Sequence, residues 1–156
     1  MFTNKYKSWE KNLVKLATFD TVEDYWCLYH HMKTPSELEL GQDYSIFKEG
    51  IQPTWEDDAN IRGGRWLIGF EKNNSHLDNV WLFTVLLVIG ENFEYSDEIC
   101  GVVVSVRTKS KLGVWLKNIG NKKAIFEIGN RLKRQLGIDE RIKFHNHDKP
   151  QNMYTI

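Results

Sequence analysis

Cysteine, proline and net charge are all scarce in this chain of 156 residues. Each shortage excludes a class of protein. The two cysteines, Cys27 and Cys100, share no spacing motif, so neither a disulfide framework nor a thiolate metal site is expected, and both should be free thiols in a reducing compartment. The three prolines are scattered, no Gly/Ser tract interrupts the chain and no internal repeat is visible, so a single domain over residues 1–156 is expected. Lys plus Arg equals Asp plus Glu at 21 each, which argues against a general polyanion binder; any nucleic-acid contact must use a local patch and a shaped pocket. No apolar run reaches membrane-spanning length and the first residues do not read as a secretory signal, so no membrane association and a cytoplasmic or nuclear location are expected.

What the chain has in excess is tryptophan. Six in a domain of this size are more than one core absorbs, so several should serve the surface. The apolar pattern first suggests a strand over Leu13, Val14, Leu16 and Phe19. It then suggests a helix capped by Thr21 that runs to about Met32. Tyr44 and Ile46 alternate as a short strand. A loop carries Gly50, Pro53 and Trp55 and ends at the pair Gly63 and Gly64, and Arg65 to Phe70 alternates as the next strand. Ser75 is a candidate cap for a strongly apolar helix from Leu77 to Ile89 that stops at Gly90. Ile99 to Arg107 and Lys111 to Leu116 form a β-branched hairpin. Ala124 to Leu136 has Ile125, Ile128, Leu132 and Leu136 on one helical face and Gly137 as its stop. Arg141 to Phe144 and Met153 to Ile156 are final short strands. Strands joined mostly by turns, with a few helices between, predict an α+β fold: one antiparallel sheet with three helices on one face.

Three features carry chemistry. Trp55 and Glu56 lie in a polar loop, where tryptophan has little reason to be core. A carboxylate accepts two parallel N–H bonds, and guanine offers such a pair on N1 and its amino group, whereas adenine does not. From these two residues alone, an exposed loop tryptophan with no role is the simpler reading. Trp9, in another polar stretch, is a second exposed indole, and two indoles could sandwich a base at about 1–3 kcal/mol of stacking. A purine made cationic by N7-methylation adds a cation–π term of about 2 kcal/mol when desolvated. Arg107, Lys109 and Lys111 span a tight turn ahead of Trp115. With Arg65, they suit a phosphate chain, although a solvated basic turn is the commoner meaning of such a run. The first two helices are apolar on more than one face, which in a chain of this size favours a docking surface for an amphipathic helix. The histidines complete no zinc set, and no nucleophile elbow, phosphate-binding glycine loop or paired-carboxylate motif occurs; no enzymatic activity and no cofactor are expected.

At these residues the sequence resembles the cap-binding eukaryotic translation initiation factor 4E family, from about Lys7 to Gly137. The motifs are Ser8-Trp9, Phe19-Asp-Thr-Val-Glu-Asp-Tyr-Trp26, Asp43-Tyr-Ser-Ile-Phe-Lys-Glu-Gly50, Trp55-Glu-Asp-Asp58, Arg62-Gly-Gly-Arg-Trp66, Ile89-Gly-Glu91 and Cys100-Gly-Val-Val-Val-Ser-Val-Arg107. The resemblance implies a curved antiparallel sheet with the helices on its convex face and a slot for the 7-methylguanosine cap of mRNA on the concave face. It implies that Trp9 and Trp55 sandwich the base, Glu56 reads its edge, Trp115 touches the methyl group, and Arg107 and Lys111 hold phosphates with Arg65 assisting. It also implies that Val22, Trp26, Leu82, Phe83, Leu86 and Gly90 belong to the surface that receives a Tyr-x-x-x-x-Leu-hydrophobic helix from initiation factor 4G or a 4E-binding repressor. The expected function is cap recruitment for translation initiation; the alternative is a cap-binding repressor or an interaction paralogue with weakened 4G-type binding.

Departures from the pattern accompany the resemblance. The chain is expected to lack the family's first strand ahead of Trp9, leaving a sheet neighbour unpaired. Phe83 stands where the family has a glutamate that pairs with a basic residue of the partner. The turn from Arg107 to Lys111 is one residue shorter than usual, and the C-terminal loop is short.

Overall fold

The computed structural model describes residues 1–4, 13–71, 75–149 and 151–156, with the backbone alone at 2–4. The strands are β1 (Phe2–Asn4), β2 (Gln42–Phe47), β3 (Gly64–Phe70), β4 (Ile99–Ser105), β5 (Ser110–Leu116), β6 (Lys143–Asn146) and β7 (Asn152–Thr155). The helices are α1 (Val22–His31), α2 (Ser75–Ile89) and α3 (Lys122–Leu136). The strands form one antiparallel sheet in the order β1-β2-β4-β5-β3-β6-β7. The expected α+β architecture is therefore present.

Strand alternation divides the sheet into two faces. One row of paired residues joins Ile46, Val102, Val114, Trp66 and Phe144; the next joins Tyr44, Val104, Leu112 and Ile68. Most of these are buried, and they form the core with Tyr25 of α1, Leu77, Val80, Trp81 and Val85 of α2, and Ile125, Ile128 and Leu132 of α3. All three helices thus cover the same face. Trp66 fixes α3 in place: its Nε1 donates to the Ile125 carbonyl at 2.8 Å, and a Cβ on Gly129 would lie 2.5 Å from its ring.

The helix ends follow local chemistry. Thr21 caps α1, accepting from the Asp24 N–H at 3.1 Å. Gly137 ends α3 in the left-handed conformation, φ 63°. Two other ends differ from expectation. Ser75 is itself helical, so it is not the cap of α2. At the far end of α2 the left-handed residue is Glu91, φ 51°, rather than Gly90. Gly90 instead leaves room for its neighbours: a Cβ there would meet the Asn92 side-chain amide at 2.5 Å and the Leu86 carbonyl at 3.0 Å.

The N-terminal region also departs from expectation. Leu13 to Phe19 is not a strand; it has one isolated bridge at Val14, and Val14 and Leu16 are half-exposed. Phe19 instead packs its ring 5.2 Å from Tyr25. The sheet position beside β2 is taken by β1, with Phe2 opposite Tyr44 and Asn4 opposite Gln42, and the Ser45 N–H donates to the Met1 carbonyl at 2.7 Å. A short strand therefore does precede Trp9, and β2 is not left unpaired at Gln42 to Tyr44.

Candidate cap-binding face

The face away from the helices is built from the other half of each strand. Its first row runs Phe47, Gly101, Trp115, Arg65, His145; its second Ser45, Val103, Gly113, Leu67, Lys143; its third Asp43, Ser105, Lys111, Gly69. Period-two alternation thus brings Trp115, Arg65 and Lys111 to one surface. Trp115 is only 7% exposed. The Phe47 ring meets it edge-on at 5.2 Å, His147 lies over it at 4.1 Å, and the Arg65 Cζ stands 5.9 Å from its ring centre. Phe47 can reach Trp115 because residue 101 is glycine: a Cβ there would lie 2.4 Å from the Phe47 ring.

Arg107 is not a bare cation. Its Nη1 and Nη2 donate to the Asp43 carboxylate at 2.9 and 3.3 Å, and Nη1 also donates to the Val106 carbonyl at 2.8 Å. The edge carrying Nε remains for an incoming oxygen, with most of the positive charge already balanced by Asp43. Arg65 and Lys111 form no ion pair among the described residues.

Trp55 and Glu56 lie on the connection from β2 to β3, whose two ends flank the Phe47–Trp115–Arg65 row. Two residues shape this loop, and the sequence reading passed over both. Asn60 is fully buried, and its Nδ2 donates to the Gln52 and Thr54 carbonyls at 2.9 and 2.8 Å. The Asp57 carboxylate accepts from the Gln52 and Ala59 N–H groups at 3.0 and 2.9 Å. Both are side-chain-to-backbone loop bonds of the kind Asx residues favour, which is the signal that the Asp57-Asp58-Ala59-Asn60 run carried. They leave Trp55 39% exposed and Glu56 exposed at the tip. Trp9, the proposed second half of the sandwich, lies outside the described residues. A cavity of about 410 Å³ lies elsewhere, beneath α1 beside Tyr25, Tyr44 and Trp81, and touches neither Trp55 nor Trp115.

Among the described residues, three polar atoms on the open face are buried without a partner: Trp115 Nε1, His145 Nε2 and His147 Nε2. Burial, then the charge of Arg65, holds the His147 imidazole down to about 4. A histidine whose folded value lies below its unfolded 6.5 contributes nothing above pH 6.5, where it is neutral in both states. As pH falls toward 4 the unfolded chain takes the proton first, so stability is lost across that window. The upper bound is about 3 kcal/mol, on the order of 2 after allowance for solvent. His147→Gln is expected to flatten the fall in melting temperature between pH 6.5 and 4; an unchanged profile would remove His147 from the account.

On the helical side, Val22 and Phe83 are exposed at 39% and 54%, Trp26, Leu82 and Leu86 are half-buried, and Gly90 is exposed. Trp26 stacks on His30 at 5.9 Å and meets Tyr29 edge-on at 5.5 Å. These residues come from α1 and α2 on the covered face, opposite the Trp115 row.

A family model described as eukaryotic initiation factor 4E matches residues 2–155. The chain is 46% identical to Drosophila melanogaster eukaryotic translation initiation factor 4E1 over 148 residues, 92% of this chain and 57% of that protein. It is 49% identical to Bos taurus eukaryotic translation initiation factor 4E over 143 residues, 89% of this chain and 66% of that protein. It therefore spans between 57% and 66% of the length of these relatives. A solved complex of C. elegans eIF4E-3 with the 4E-binding protein Mextli and a cap analog superposes with a TM-score of 0.93 at 37% identity, covering 99% of this chain and 93% of that one.

Proposed function

Because the chain belongs to the eukaryotic initiation factor 4E family, we propose that it binds the 7-methylguanosine cap of mRNA and presents it for translation initiation. The observation that carries this reading is the open-face row in which Trp115 stands beside Arg65, next to the loop that offers Trp55 and Glu56. Trp55 supplies a ring face for the cationic purine, with Trp9 as the expected second face. Glu56 accepts the paired N–H groups of guanine. Lys111 and Arg65 draw in the phosphates, with Arg107 adding its free edge. A solved relative holds a cap analog, which supports the same use here.

The test is a fluorescence titration. 7-Methylguanosine triphosphate should quench tryptophan emission and bind about 30-fold more tightly than guanosine triphosphate, from a cation–π difference of about 2 kcal/mol. Equal affinity for the two nucleotides would end the proposal.

The exposed Phe83 favours a second reading on the partner side. An apolar ring in place of the family's glutamate offers no counter-charge to a basic residue of a Tyr-x-x-x-x-Leu-hydrophobic helix. This chain then acts as a cap-bound repressor rather than a recruiter through factor 4G. Weak capture of such a peptide by the cap-bound protein supports the repressor; family-like capture supports the recruiter.

A further inference from the structure

The proposed phosphate contacts do not account for all the positive charge on the open face. Lys143 of β6 lies opposite Leu67 of β3, and His145 lies opposite Arg65. On the other side of β3, Lys111 of β5 lies opposite Gly69. Arg65, Leu67 and Gly69 share one face of β3, so Arg65, Lys111, Lys143 and His145 all border the same strip of that strand. The strip is open at its Gly69 end, where a Cβ would meet nothing within 4 Å.

Two further observations say that the strip awaits an anion. No carboxylate forms an ion pair with Arg65, Lys111 or Lys143 among the described residues, although the chain as a whole is neutral. The His145 Nε2 is buried and has no hydrogen-bond partner among the described residues. Turning the ring toward the strip would give this nitrogen a phosphate oxygen or a ribose hydroxyl as its partner. The same three cations hold the His145 imidazole below its usual range, after burial as the larger cause.

We propose that Lys143 and His145 extend the phosphate contacts of Arg65 and Lys111 onto β6, where they hold the third phosphate of the cap bridge and the sugar of the first nucleotide after it. This rests on the cap-binding reading and adds a ligand section that reading does not assign. A short cap fragment ends over Trp115, Arg65 and Lys111. A longer one continues across β3 to β6.

The experiment compares 7-methylguanosine diphosphate with a capped dinucleotide, by calorimetry, on the wild-type chain and on Lys143→Ala and His145→Gln. Lys143 is exposed, so its replacement leaves the fold a fair control for the partly buried His145. Each variant is expected to lose about 5-fold for the dinucleotide and less than about 2-fold for the diphosphate. Lys143→Ala should also make dinucleotide binding less sensitive to added salt. Equal losses for the two ligands, or no loss for the dinucleotide, would overturn the β6 extension and leave cap binding standing. A wild-type chain that does not distinguish 7-methylguanosine diphosphate from guanosine diphosphate would overturn the cap reading and this extension together.

Discussion

Trp55→Ala is expected to reduce affinity for a 7-methylguanosine nucleotide by about 30- to 100-fold, with no loss of thermal stability. The binding figure follows from one lost stacking face, about 1–3 kcal/mol, and the share of the cation–π attraction that face supplies. The stability figure follows from burial. Trp55 is 39% exposed, and the loop beneath it is held by Asn60 and Asp57 through bonds to backbone atoms that the substitution does not touch. Trp55→Phe should fall between the two, because a phenyl ring keeps a face of smaller area. Glu56→Gln should cost about 10-fold, since an amide keeps one acceptor but turns a donor toward the second guanine N–H. Calorimetry is the right measurement, because the first variant removes one of the reporting fluorophores. Affinity of Trp55→Ala within about 2-fold of wild type would show that the base does not stack on this residue.

Some elements were legible because their pattern and their environment agree. β4 and β5 are strongly apolar and buried, and α3 presents Ile125, Ile128 and Leu132 to the core at helical spacing. Trp115, Arg65 and Lys111 reach one face through period-two alternation, which sequence shows directly. The misreadings arose where a distant partner decides the outcome. Leu13, Val14, Leu16 and Phe19 have the composition of a strand, yet the place beside β2 is filled by β1. Arg107 reads as a free cation in the sequence, and its counter-charge, Asp43, lies 64 residues away. Gly90 reads as a left-handed helix stop, whereas Glu91 takes that conformation and Gly90 makes room for the Asn92 side chain. Asn60 looks like one more polar loop residue until its burial shows that it shapes the loop carrying Trp55.

The pair Gly63 and Gly64 reads in the sequence only as the end of a loop, but the packing around it predicts a large stability effect. β3 enters the sheet between β5 and β6 at this point. A Cβ on Gly63 would stand 2.0 Å from the Leu116 carbonyl oxygen and 3.0 Å from that of Asn60. Both obstacles are backbone, so no rotamer change relieves them. β5 would have to move away from β3, or the loop away from Asn60. Gly63→Ala should therefore cost about 3 kcal/mol or more, the upper part of the range for overpacking. In a domain of this size that is a fall of about 6–12 °C in melting temperature. The necessary contrast is Gly69→Ala, six residues further on and within β3. There the Cβ meets open space and the backbone is not left-handed, so removing the glycine's extra unfolded-state freedom is expected to leave stability unchanged or raise it by about 0.5 kcal/mol. Similar melting temperatures for the two variants would mean that β5 yields easily at Leu116. The close approach of β3 to β5 would then not hold the loop bearing Trp55 and Glu56 against the row that contains Trp115. If Gly63→Ala melts early as expected, it should also weaken cap binding at temperatures where it remains folded, because the strain falls between Asn60, which shapes the loop, and Leu116, the neighbour of Trp115 on β5.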